Sequence, residues 1–303
     1  MPRNDTAKPI RITEVGPRDG LQNESVPLST EAKIEFVNAL AACGFAEIEV
    51  SSFVSPKWTP NLADASEVFG GINRIEGVLF SALVPNERGL ERALEARVDK
   101  IAVFTAASET FNRKNINASI SESLDRLRPV VQSAKASSLP VRGYVSCVIE
   151  CPYEGAVDAA AVANVVERLL EFGVDEIDLG ETIGVATPRD IRHLYRELAA
   201  VIQPEQTTLH LHDTRGAALS CVFEALKAGV RSFDASAGGL GGCPYAPGAA
   251  GNLATEDLVY ALEREGWRTG IDLERLAAAS QTVQVKLGRT LPGRYLQASC
   301  ARG

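Results

Sequence analysis

Short runs rich in β-branched and aliphatic residues recur along the chain, each followed by a longer stretch with apolar positions three and four apart. The short runs predict eight strands, at Ile10–Val15, Glu47–Ser51, Val78–Ala82, Lys100–Thr105, Val141–Val148, Glu176–Gly180, Thr208–Asp213 and Ser232–Ser236. The longer stretches predict helices at Thr30–Ala42, Asn86–Ala96, Ser119–Ser137, Asp158–Phe172, Pro188–Val201 and Gly216–Ala228, with a fainter helical pattern over Asn61–Gly70. Ser121-Glu122-Ser123-Leu124 and Thr187-Pro188 read as helix starts, the second because proline is favoured at the first helical position. Gly44, Gly173 and Gly229 read as helix ends, since glycine enters the left-handed conformation without a Cβ clash. Strand and helix in steady alternation imply a parallel sheet, and eight such units close into a (β/α)8 TIM barrel of the α/β class. An open, doubly wound sheet would carry a glycine-rich phosphate loop after its first strand. Here that strand ends in the charged Gly16-Pro17-Arg18-Asp19-Gly20.

The barrel is expected over residues of about 10 to 265, closing with a helix at Leu253–Glu265. A C-terminal helical extension at about 272–290, patterned over Leu273–Leu287, would cover the rim. No linker or low-complexity segment interrupts residues 1–303, so one domain suffices. The length suits a barrel that typically runs ~250 residues plus extensions, and 45% hydrophobic content allows a large core. A net charge of −8 with a pI near 5.1 argues against nucleic acid or an anionic membrane as partner, but a local basic patch could still take an anionic substrate. No stretch approaches the ~20 apolar residues that span a bilayer, and the polar N-terminus lacks a signal-peptide core, so a cytoplasmic protein is expected. The six cysteines include no C-x-x-C pair; Cys147 and Cys151 are spaced C-x₃-C without a second pair to complete a zinc site.

Candidate chemistry gathers at the predicted C-terminal strand ends, where barrels of this kind carry their active sites. Two of the chain's three histidines are His210 and His212, a spacing that in a strand points both imidazoles to one face. Neutral imidazoles bind metals, and Asp19 is a candidate third ligand at the end of the first strand; a hydrogen-bonded pair of core histidines is the alternative. Arg18 sits beside Asp19, Glu49 to Ser52 end the second strand, and Glu150 and Glu181 follow the fifth and sixth. Glu49 reads as a carboxylate that orients Arg18 or a ligand. Asn252, after the glycine-rich loop Gly238–Gly251, is a further polar residue at this end of the barrel, or simply a cap for the next helix. Glycines around Cys243 would let that loop close and bring a thiol into a dry site, where a nearby cation lowers its pKa.

These residues together resemble the 3-hydroxy-3-methylglutaryl-CoA lyase family, from about Ile12 to Arg289. The resemblance is carried by Glu14-Val15-Gly16-Pro17-Arg18-Asp19-Gly20-Leu21-Gln22-Asn23-Glu24, Ser52-Phe53-Val54-Ser55-Pro56-Lys57-Trp58, Arg142-Gly143-Tyr144-Val145-Ser146-Cys147, Gly239-Leu240-Gly241-Gly242-Cys243-Pro244-Tyr245 and Gly251-Asn252-Leu253-Ala254-Thr255-Glu256-Asp257. It implies a TIM-barrel lyase that cleaves hydroxymethylglutaryl-CoA (HMG-CoA) to acetyl-CoA and acetoacetate by a retro-Claisen reaction, an activity of leucine degradation. It implies Mg²⁺ or Mn²⁺ on Asp19, His210, His212 and Asn252. Arg18 would lie beside the thioester carbonyl, Glu49 in the site and Cys243 on a mobile loop as acid/base. Gln22, Ser52, Glu181 and Arg215 are the expected substrate contacts. The implied partner is an acyl-CoA, with no nucleic acid, no membrane, and a homodimer left open. The chain departs from the family pattern at Asp178, Glu181 and Arg215, which leaves citramalyl-CoA or a longer-branched 3-hydroxyacyl-CoA as the alternative substrate. Related synthases that condense acetyl-CoA with 2-oxo acids share the Arg-Asp and His-x-His signatures, but carry a different glycine loop and a further domain.

Overall fold

Strands joined by helix-length connections do not close tight hairpins, and pair instead in parallel across helical crossovers. The computed structural model, which describes residues 9–242 and 251–301, shows that outcome. In chain order it contains β1 (Arg11–Glu14), α1 (Thr30–Ala41), β2 (Glu47–Ser52), α2 (Ala65–Gly71), β3 (Leu79–Leu83), α3 (Glu87–Glu95), β4 (Lys100–Ala106), α4 (Glu109–Ile116), α5 (Ile120–Ala136) and β5 (Val141–Ser146). It continues with β6 (Glu150–Cys151), β7 (Gly155–Ala156), α6 (Ala159–Glu171), β8 (Glu176–Glu181), α7 (Pro188–Leu198), β9 (Thr207–Leu211), α8 (Ala218–Ala228), β10 (Ser232–Ala235), α9 (Thr255–Arg264), α10 (Leu273–Leu287) and α11 (Arg294–Cys300). The barrel closes in the order β1-β10-β9-β8-β5-β4-β3-β2, every pair parallel, and β6–β7 is a separate antiparallel hairpin. The expected α/β barrel with a C-terminal helical part is the fold.

Several boundaries differ from expectation. The weak pattern at Asn61–Gly70 splits into a 3₁₀ turn at Pro60–Leu62, with Pro60 at its first position, and α2. The helix expected to start at Ser121 is capped by Ser119, whose hydroxyl takes the Glu122 amide while the Glu122 carboxylate takes the Ser119 amide. The histidine strand ends at Leu211, so His212 lies beyond it and is held by an isolated bridge to Asn252. The hairpin, α4 and α11 are additional. α10 lies in the helix layer against both α1 and α9, reaching the rim through the turn at Ala237–Gly239.

The strands of a TIM barrel normally fill their lumen with branched aliphatics. Here the alternation runs the other way. Ile12, Ile48, Ile101, Val141, Val145, Ile177, Leu209 and Phe233 are buried in the apolar layer shared with the helices. The alternate positions Arg11, Thr13, Glu47, Glu49, Lys100, Arg142, Tyr144, Glu176, Asp178, Thr208, His210, Ser232 and Asp234 bond to one another across the barrel. Arg142, 1% exposed, is the hub: Nη1 lies 3.0 Å from Asp234 and 3.5 Å from Asp178, and Nη2 reaches Thr13 at 2.9 Å, Glu176 at 2.9 Å and Glu47 at 3.4 Å. Lys100 adds bonds to Glu47 (2.9 Å) and Glu176 (2.7 Å). A charged lumen is stable only because each charge is paired.

Candidate active site

The chain leaves β1 through a single π-type turn over Gly16–Gly20, in which the amides of Arg18, Asp19 and Gly20 all reach the Val15 carbonyl, at 3.2, 2.8 and 3.1 Å. The turn projects Arg18 and Asp19 over the barrel mouth. Gly20 is required by space: a Cβ there would lie 2.8 Å from Leu240 Cβ and 2.9 Å from Ser236 Oγ. Opposite, the returning segment at 251–254 threads between the ends of β9 and β10. Asp213 N donates to Gly251 O and Leu253 N to Leu211 O, both at 3.0 Å, while Ser236 N donates to Leu253 O at 3.0 Å. That backbone pairing, rather than any helix-capping role, places Asn252 beside His212; the cap of α9 is Ala254.

Asp19, His210 and His212 bring one ligand atom each to within 4.8 Å of one another. Asn252 Nδ2 donates to Asp19 Oδ2 at 2.8 Å and to Leu240 O at 3.1 Å, which orients its Oδ1. That Oδ1 and His212 Nδ1 are buried polar atoms with no hydrogen-bond partner in the structure, as expected of ligand atoms. Burial works to raise the Asp19 pKa, but the charges of Arg18, His210 and His212 outweigh it and hold the carboxyl at about 2. Burial and the neighbouring His210 push His212 down to about 4, so it is a neutral imidazole at neutral pH. For His210, burial acts downward, but the bond to Asp234 and the Asp19 charge prevail and raise it. The set of carboxylate, two imidazoles and an amide oxygen fits a divalent cation.

A second group, Asp178, His210 and Asp234, also comes within 4.8 Å. The Arg142 guanidinium already bonds both of its carboxylates, so its charge is compensated without an ion. Burial and then the charge of Asp234 raise Asp178 well above the usual carboxylate range, while Arg142 and His210 overcome burial to hold Asp234 below it. Asp234 accepts from His210 Nδ1 at 3.3 Å, a common way to fix an imidazole whose other nitrogen faces a metal.

Arg18 is held at both ends. Its Nε donates to Glu49 Oε2 at 2.6 Å and its Nη1 to Asp19 Oδ1 at 2.6 Å, and its guanidinium carbon stacks 5.3 Å from the centre of the Tyr144 ring. Burial opposes its charge, but Glu49 and Asp19 more than compensate and keep it cationic. Arg18, Asp19, Glu49, His210, His212 and Asn252 thus converge from four chain segments. Glu181 lies at the end of β8 with Oε1 accepting from Val185 N at 3.0 Å and Oε2 buried without a partner; burial raises its pKa. Ser52 is buried with its hydroxyl on Val54 N at 3.2 Å, and Gln22 is half-buried, its carbonyl bonded by Asn61. Arg215, expected to offer a cation to substrate, uses Nη1 on the carbonyls of Ile183 and Gly184, both at 3.1 Å, joining the loops after β8 and β9. Cys243 lies outside the described residues. The stem of its loop is anchored by two buried glutamates: Glu14 takes the Ala237 amide at 2.9 Å and Glu256 the Gly238 amide at 2.7 Å. Burial pushes their pKa values up to about 8 and about 7.

Tyr144, Asp234 and Arg142 were not among the candidates. A polar residue at every second position of β5 and β10 was the available signal.

The HMGL-like family model matches residues 9–283. The chain is 51% identical over 290 residues to hydroxymethylglutaryl-CoA lyase from Bacillus subtilis, covering 96% of this chain and 97% of that protein. It is 47% identical over 295 residues to the 3-hydroxy-3-isohexenylglutaryl-CoA/hydroxymethylglutaryl-CoA lyase of Pseudomonas aeruginosa, covering 97% of this chain and 98% of that protein. A crystal structure of hydroxymethylglutaryl-CoA lyase from Pseudomonas aeruginosa superposes with a TM-score of 0.96 at 46% identity, covering 98% of this chain and 99% of that one.

Proposed function

The chain belongs to the HMGL-like family, and from that premise we propose that it is a carbon–carbon lyase cleaving HMG-CoA to acetyl-CoA and acetoacetate. The observation that carries this reading is the 2.6 Å contact joining Arg18 to Asp19, which sets a permanent cation at the edge of the donor cluster. Retro-Claisen cleavage removes the C3 hydroxyl proton and breaks the C2–C3 bond. C3 becomes the ketone of acetoacetate, and the released electron pair forms the acetyl-CoA enolate, which must then be protonated at carbon. A divalent cation, Mg²⁺ or Mn²⁺, held by Asp19, His210, His212 and Asn252 would acidify the hydroxyl and orient the acyl group. Arg18 takes the charge that grows on the thioester oxygen, a stabilisation largest where the donor is already fixed. Glu49 does that fixing. Cys243, on the loop whose stem Glu14 and Glu256 hold, is assigned the proton for the enolate carbon. Gln22, Ser52 and Glu181 are assigned to the acyl pocket, and an acyl-CoA is the partner. Such an activity belongs to leucine degradation, with the cytoplasm as the proposed compartment; no described helix is long and apolar enough to cross a membrane.

The test is acetyl-CoA release from HMG-CoA by purified protein with Mg²⁺ or Mn²⁺, then with the metal chelated. Metal-dependent turnover at a kcat/KM of about 10⁴ M⁻¹s⁻¹ or above is expected, and chelation should abolish it. His212→Ala is expected to weaken Mn²⁺ binding at least tenfold, measured by electron paramagnetic resonance of free Mn²⁺.

A second reading keeps the chemistry and enlarges the acyl branch, as the Pseudomonas aeruginosa relative's name includes an isohexenylglutaryl substrate. Isohexenylglutaryl-CoA and citramalyl-CoA run beside HMG-CoA discriminate the readings. Because Arg215 is engaged with loop carbonyls, Arg215→Ala should cost about 1 kcal/mol of stability and leave the ratio of kcat/KM between these substrates unchanged. A changed ratio would return Arg215 to the substrate.

A further inference from the structure

Two ion pairs at the mouth serve different parts of the reaction, and one side chain touches both. Arg18–Glu49 addresses the thioester; His210–Asp234 addresses the metal. Tyr144, on β5 across the barrel, puts its hydroxyl 3.1 Å from Glu49 Oε2 and 3.2 Å from Asp234 Oδ2. These are the same carboxylate oxygens that bond Arg18 Nε and His210 Nδ1. Arg142 Nη1 approaches the phenol oxygen at 3.4 Å, and the ring lies between the Arg18 and Arg142 guanidiniums, at 5.3 and 5.8 Å from their carbons.

We propose that Tyr144 is a positioning residue that couples the thioester arginine to the metal-binding histidine, its single hydroxyl proton bridging Glu49 and Asp234. The proposal rests on the lyase reading for the roles of Arg18 and His210. The geometry gives it physical content. Two carboxylates approaching one oxygen at about 3 Å repel each other unless a proton lies between them. A phenol is suited to the place because burial, with Asp234 and Glu49 nearby, raises its pKa well above the ordinary tyrosine value and keeps the proton on it. Loss of the hydroxyl leaves Glu49 and Asp234 facing each other, with Glu49 Oε1 already unpartnered. Each carboxylate then shifts toward its own cation, and the distance between Arg18 and the His210 ring is no longer set. The ring itself only fills space and stacks, so phenylalanine preserves the packing.

The experiment is Tyr144→Phe in the full chain. Mn²⁺ affinity is measured without substrate by electron paramagnetic resonance, beside kcat and KM for HMG-CoA and the melting temperature. The expected result is Mn²⁺ binding weakened about tenfold and kcat lowered 10- to 100-fold, with KM within about threefold and the melting temperature within a few degrees of the parent. Mn²⁺ affinity and kcat both within twofold of the parent would overturn the coupling. So would a fall in melting temperature with unchanged Mn²⁺ affinity, which marks a purely structural hydroxyl. Metal binding is read without substrate, so a parent protein inactive on HMG-CoA would sink the lyase reading and leave this outcome distinguishable.

Discussion

Arg18→Met is expected to lower kcat for HMG-CoA cleavage by about 10²- to 10³-fold, with KM changed less than about threefold, in steady-state assays at saturating Mg²⁺. The asymmetry follows from timing. The thioester oxygen is weakly polarised in bound substrate and carries most of a charge once the C2–C3 bond breaks. A donor aimed there therefore stabilises the transition state more than the ground state. Arg18 suits this task because its orientation is fixed before substrate arrives, by Glu49 on Nε and Asp19 on Nη1, each at 2.6 Å. Arg18→Lys is expected to recover little, since a lysine ammonium cannot reproduce the fork that spans both carboxylates. A kcat for the lysine variant equal to that of the parent would mean that charge alone, without placement, does the work. Loss of the cation also strands Glu49, which is 1% exposed, so the melting temperature belongs beside the kinetics.

The second large effect is on stability. Arg142→Leu is expected to destabilise the fold by about 3–5 kcal/mol, the cost of removing one partner from a buried ion-pair cluster. Four carboxylates, Glu47, Glu176, Asp178 and Asp234, lose a shared cation at the barrel centre. The pH dependence is a sharper check. Burial acts to raise the Glu176 pKa, but Arg142, Lys100 and Arg11 overcome it and hold the carboxyl well below its ordinary 4.5. A depressed carboxylate contributes stability above its unfolded pKa and loses it as pH falls toward its folded one. The gap between parent and variant should therefore be widest above pH 4.5 and narrow as both are acidified below it, followed by thermal melts across pH. A gap independent of pH would assign the loss to packing. The variant should also bind Mn²⁺ less tightly, because Asp234 loses the contact at 3.0 Å that holds it against His210.

The chain's periodicity carried the barrel, because strands with apolar outward faces and helices with one apolar stripe can bury both only in this layered form. Its errors have local causes. The end of β9 at Leu211 comes from the returning Asn252 segment, which takes over the bonding at His212 from residues forty positions downstream. The helix start at Ser119 was a choice between two serines two residues apart, decided by which one had a glutamate three residues on. That Arg215 also joins the loops after β8 and β9 was not legible, because nothing in a linear pattern shows that two loop carbonyls lie within its reach. Asp213, within the same motif, accepts the Ala218 amide at 3.0 Å and so starts α8.

From residue types and spacing came the class of fold, the strand ends where chemistry gathers, and Asp19, His210 and His212 as candidate ligands for a divalent cation, while Asn252 joined them through the family resemblance. These follow from period and composition, which act over a few residues and need no knowledge of where distant segments meet. Only the tertiary structure decided which carboxylate answers which cation. Glu49 serves Arg18, Asp234 serves His210, and Tyr144 stands between them, from strands β2, β10 and β5. Closure of the barrel makes these strands neighbours across a lumen a few ångströms wide, where Coulomb and hydrogen-bond energies vary steeply with distance. The partner of a buried charge is thus a property of the closed barrel, and no stretch of the chain contains it.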